Sequence, residues 1–129
     1  MEIQLTGEHT IDIKCRKAHY NITVKDKVTI LRGHDPVGDY TVYNLVNLYD
    51  IYRDDSGIQL QCDKECIYLS TEFWEETLNR KKDCIVFIDT FHNCLYEEEK
   101  LAEIINNTDN YYIIITDYKL DKLLSLCNK

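Results

Sequence analysis

Two stretches of this chain are apolar without a break, Cys84-Ile85-Val86-Phe87-Ile88-Asp89 and Tyr111-Tyr112-Ile113-Ile114-Ile115-Thr116. A strand with one wet face alternates apolar and polar residues. A strand without alternation must be covered on both faces, as strands inside a parallel sheet are. Parallel neighbours cannot be joined by a tight turn and need a crossover, usually a helix. Residues 96–106 fit that role, with Leu101, Ile104 and Ile105 at helical spacing for an inward face. The second half of the chain therefore predicts the α/β class.

Upstream, residues 9–14 and 19–24 alternate as half-buried strands do, and residues 27–32 form a third β-rich run. These first thirty residues are expected to add antiparallel strands. Val42, Leu45, Val46 and Tyr49 recur at helical spacing, predicting a helix over 39–53 with Asp39 at its start, where a carboxylate suits the helix dipole. Asp54-Asp55-Ser56-Gly57 breaks it, and short strands are expected at 58–61 and 66–69. Ser70 or Thr71 is the expected cap of a helix through about residue 80, with Phe73, Trp74, Thr77 and Leu78 on one face. A short helix is expected over 119–127.

At 129 residues the chain has the length of one domain, 1–129, and 44% hydrophobic content is enough to fill a core. No apolar run reaches the roughly 18–20 residues of a membrane span. Met1-Glu2-Ile3-Gln4 has neither a basic leader nor an apolar stretch, so a cytoplasmic location is expected. The six cysteines are then expected to be reduced, with Cys15, Cys84 and Cys127 as small buried hydrophobes. Cys62-x3-Cys66 with His92 and Cys94 carries the ligand types of a zinc site. Its spacing straddles Asp63-Lys64-Glu65, which looks like a turn between strands, so no metal is expected. The net charge of -8 is unevenly spread: residues 1–32 sum to +2, and residues 33–82 and 83–129 to -5 each. Such a chain is a poor ligand for nucleic acid and for anionic membranes.

Three segments carry a motif. A β-rich run leads into Gly33-x4-Gly38 and then a helix; an apolar strand ends at Asp89; a second ends at Thr116 and Asp117. Their order resembles a P-loop NTPase of the ATP-binding type, with Asp89 in a Walker B-like position and Thr116–Asp117 where such proteins carry a polar sensor. The antiparallel start leading into Val28–Gly33 is similar to the N-terminal region of ABC-type ATPase domains. The whole chain, to about residue 122, resembles a family of small bacterial ATPase-like proteins. The resemblance implies a three-layer-like parallel sheet core of truncated P-loop NTPase type with an antiparallel N-terminal strand addition.

The chemistry of a working loop is missing. Such a loop reads Gly-x4-Gly-Lys-Ser/Thr: backbone N–H groups cradle phosphate, the Lys meets the β- and γ-phosphates, and the hydroxyl holds Mg²⁺. Here Asp39 stands at the Lys position and Tyr40 at the hydroxyl position, with Thr41 one residue beyond. At about 4 Å and an effective dielectric of about 20, a unit charge pair is worth roughly 4 kcal/mol, so exchanging Lys for Asp turns attraction into repulsion. Asp35 adds to it, and Thr90 replaces the Glu that activates water. No catalytic residue and no cofactor are expected.

The expectation is a catalytically inactive pseudo-ATPase domain that regulates or inhibits by binding another protein. Candidate interface residues are Tyr40, Tyr43, Tyr49, Tyr52, Asp54 and Asp55, aromatics and acids along one helix and its end. Its acidity admits a narrower version, a phage-type inhibitor of a basic nucleic-acid enzyme, of which an anti-CRISPR protein is one instance. The alternative is a nucleotide-binding protein that holds ATP or GTP weakly, with little or no hydrolysis.

Overall fold

A computed structural model describes residues 8–32, 41–69, 72–89 and 98–116. In chain order these form β1 (His9–Lys14), β2 (His19–Val24), β3 (Val28–Arg32), α1 (Val42–Tyr52), a 3-10 turn (Arg53–Ser56), β4 (Gln59–Gln61), β5 (Glu65–Tyr68), α2 (Trp74–Arg80), β6 (Cys84–Asp89), α3 (Glu98–Asn106) and β7 (Tyr111–Thr116). The strands make a four-stranded parallel sheet, order β3-β7-β6-β5, and a three-stranded antiparallel sheet, order β2-β1-β4. The fold is mixed α/β. No described helix is long and apolar enough to cross a membrane.

The unbroken apolar strands are the two central ones, and their two faces feed two cores. Ile85, Phe87, Tyr111, Ile113 and Ile115 pack with Leu45 and Val46 of α1 and with Ile11, Ile13 and Val24 of the antiparallel sheet. Val86, Ile88, Tyr112 and Ile114 pack on the opposite side with Leu78 of α2 and Leu101, Ala102 and Ile105 of α3. Each such side chain removed from water contributes about 1.5–3 kcal/mol before the entropy of ordering it is subtracted. The winding explains the two sides. The crossover from β3 reaches across to β5, whereas β5, β6 and β7 step back toward β3. Crossovers of one hand running in opposite directions put their helices on opposite faces.

Two expectations about strands and caps need correction. The antiparallel sheet is not purely N-terminal: β4 pairs with β1, Ile13 opposite Leu60, while β3 leaves the first thirty residues to pair with β7. Helix α2 starts at Trp74, with Phe73 as its N-cap in the left-handed region (φ 58°), while Ser70 and Thr71 lie outside the described residues. Phe73 is 69% exposed, so it does not share the inward face of Trp74 and Leu78. The expected helix over 119–127 lies outside the described residues, as does Cys127. Cys84 is buried as expected, and Cys15 is only half-buried.

Candidate functional site

The carboxyl ends of β3, β7 and β6 meet at one edge of the parallel sheet. Arg32 pairs with Thr116, and Ile115 lies between Leu31 and Asp89. The helices that follow β3 and β6 go to opposite faces of the sheet. In open α/β sheets such a reversal leaves a crevice outside the strand ends, where ligands bind. Of the loop residues, Gly33, Gly38, Asp39 and Tyr40 lie outside the described residues, as do Thr90 and Asp117; the side chain of Asp89 does too. Thr41 is described. It is the N-cap of α1 with an extended backbone, and its carbonyl accepts from the Leu45 N–H at 3.0 Å. Its Oγ1 makes no cap bond, and it is shielded from solvent with no hydrogen-bond partner among the described residues.

The C-terminal end of α1 carries the rest of the expected site. Tyr52 is 55% exposed, and Asp54 and Asp55 are exposed in the 3-10 turn that follows. Tyr49 is half-buried against the first core, and the Arg53 guanidinium sits 5.6 Å from its ring centre. Tyr40 and the side chain of Tyr43 lie outside the described residues. Ile51, 60% exposed, belongs to the same surface and was not among the expected residues. Its signal was present, because residue 51 stands off the Val42-Leu45-Val46-Tyr49 stripe that turns inward. Asp50 has a structural duty: it accepts from Arg53 Nη2 at 3.2 Å and from the Tyr68 N–H at 3.4 Å, tying the helix to β5.

A second polar group gathers at the other end of the parallel sheet, where β5, β6 and β7 begin. His9 Nδ1 lies 2.8 Å from Asp63 Oδ2, and its ring meets Tyr111 edge-on at 5.0 Å. Lys64 Nζ donates to both Asp83 oxygens at 2.7 and 2.8 Å. The Cys62 thiol donates to Asp63 Oδ1 and the Cys66 thiol to the Lys64 carbonyl, each at 3.7 Å, and Cys84 Sγ lies 3.6 Å from Glu65 Oε1. Burial pushes all three thiols up, Cys84 to about 11. Thiols held protonated are poor nucleophiles and poor metal ligands. No three His, Cys, Asp or Glu side chains among the described residues are placed to share a metal ion, and His92 and Cys94 lie outside them. This end of the sheet joins the two sheets through the His9–Asp63 hydrogen bond and the packing of the His9 ring on Tyr111.

No protein-family profile matches the chain, and neither a curated protein nor a solved structure matches it.

Proposed function

We propose that the chain is a catalytically inactive P-loop-like domain that acts by binding another protein, through the end of α1. The observation that carries this is the pair Ile51 and Tyr52, adjacent, 60% and 55% exposed, and followed by the exposed acids Asp54 and Asp55. Large apolar side chains left in water beside charges have the chemistry of interface anchors with a polar rim. The acids favour a partner that is basic around an apolar recess, as the nucleic-acid channel of an enzyme is. The strand order supports the P-loop-like part of the reading. It brings the ends of the Walker A-like strand β3, the sensor-like strand β7 and the Walker B-like strand β6 to one edge. Asp39, Tyr40 and Thr90 stand where a working site has Lys, Ser/Thr and Glu.

The test uses the intact chain and the double variant Ile51→Ser/Tyr52→Ser against the host's basic nucleic-acid enzymes. Wild-type complexes are expected to weaken steeply with salt, to compete with DNA or RNA, and to be lost in the double variant. Equal binding by both proteins would remove this surface from consideration. A second reading, weak nucleotide binding, is favoured by Thr41 Oγ1 at the start of α1, which is buried with no hydrogen-bond partner among the described residues. Titration with ATP and with GTP, each with Mg²⁺, decides between them: micromolar affinity or turnover would overturn the first reading.

A further inference from the structure

The positive end of the chain's charge asymmetry meets a hollow. Lys14, Arg16 and Lys17 cluster at the β1–β2 turn, which closes through the Cys15 N–H donating to the Ala18 carbonyl at 2.8 Å. That turn stands over α1 and the segment after the 3-10 turn, and between them lies a hollow of about 510 Å³. Leu45, Leu48 and Ile58 give it apolar lining, while Cys15 and Arg16 form the wall opposite. A neighbouring hollow of about 260 Å³ shares Cys15, Arg16 and Gly57 and adds Lys14. Gly57, at φ 76°, lines both hollows, and a Cβ there would have nothing within 4 Å.

From this geometry we infer a binding site for a small organic anion, with an apolar body against the half-buried Leu48, over a floor made by the buried Leu45 and Ile58, and an oxyanion head on Arg16. The volume lies in the range of about 300–1,000 Å³ in which small-molecule sites fall, and Asn44 and Ser56 add polar lining beside Arg16. Arg16 is exposed and makes no ion pair among the described residues, so its planar fork is available to a carboxylate, sulfonate or phosphate. In a chain of net charge -8, the basic turn is where an anion finds attraction. The site borders the α1 end through Leu48 and Ser56 but includes none of Ile51, Tyr52, Asp54 and Asp55, and it shares no residue with the carboxyl edge of the parallel sheet.

The probe is 8-anilinonaphthalene-1-sulfonate, an aromatic sulfonate whose fluorescence rises on leaving water. The intact chain is expected to bind one equivalent, Arg16→Ala to bind about tenfold more weakly, as loss of a charge-assisted bond implies, and Phe73→Ala to bind like wild type. 1-Naphthoate and 1-naphthyl phosphate are expected to displace the probe, and uncharged 1-naphthalenemethanol to displace it at least tenfold less well. Bound probe is also expected to slow maleimide labelling of Cys15. Equal binding by wild type and Arg16→Ala, loss of binding in Phe73→Ala, or equal displacement by the uncharged alcohol would overturn the inference.

Discussion

His9 and Asp63, 54 residues apart in sequence, hold each other at 2.8 Å and fasten the first antiparallel strand to the segment that opens β5. The same device recurs on the outer face of that sheet, where His19 Nε2 lies 2.6 Å from Asp12 Oδ1 and Asn21 donates to the same oxygen at 3.2 Å. The hydrogen bonds from His9 and from His19 hold Asp63 and Asp12 below the ordinary 3.8.

The pH dependence follows with a definite sign. A carboxyl group whose folded value is depressed binds fewer protons folded than unfolded, so its contribution is complete above the unfolded value. It is lost as pH falls from about 3.8 through the lower folded values. Urea midpoints are expected to fall across that window, and less steeply in Asp63→Asn and Asp12→Asn. A variant curve parallel to wild type throughout would show that these pairs carry no linkage.

Asn110 is a fully buried polar residue at the amino end of the sheet. Its Oδ1 accepts from the Cys84 N–H at 3.0 Å, and its Nδ2 donates to the Lys81 carbonyl at 3.1 Å. Asn110→Ala leaves both backbone groups unpaired in the interior, at an expected cost of about 2–4 kcal/mol. Asn110→Asp keeps the acceptor and loses the donor, so chemical denaturation should place it elsewhere than Ala.

Phe73 holds a left-handed backbone, φ 58°, that costs a residue with a Cβ about 1–2 kcal/mol. With Phe73 69% exposed, little burial is lost on removing its ring. Phe73→Gly is therefore expected to be more stable by up to about 1 kcal/mol, after the glycine's greater unfolded entropy. A lower melting temperature would mean that the ring's contacts outweigh the backbone strain.

Thiol labelling separates the cysteines. At pH 8, Cys66 and Cys84, both buried and pushed up by that burial, should resist iodoacetamide in the folded chain and react in urea. Modification of either in the native protein would show that this end of the sheet opens readily.

What the sequence revealed depended on how local the governing physics was. The runs 84–89 and 111–116 announced a sheet covered on both sides because the absence of alternation lies within six residues. The inward stripe of α1 was legible for the same reason. Gln59–Gln61 has no pattern that names β1 as its partner, since that pairing is set by Ile13 meeting Leu60 across a long loop. Ser70 and Thr71 are good caps locally, whereas the chain enters α2 through Phe73, whose left-handed backbone no local pattern signals. Tyr52, Asp54 and Asp55 were named from type and spacing, but the hollow beneath Arg16 needs three separate segments brought together.

The strand order has a consequence for synthesis. β3 emerges from the ribosome early, yet its partner in the sheet is β7, and Val28 must wait for Tyr112. Until then its hydrogen-bonding edge has no mate in that sheet, and β5 and β6 can pair only with each other. Long-range parallel pairing closes slowly because the loop entropy is lost before any contact is gained. A nascent chain halted before residue 111 thus exposes the inner edges of β3 and β6, and interruption of translation there should yield aggregates rather than a smaller stable domain.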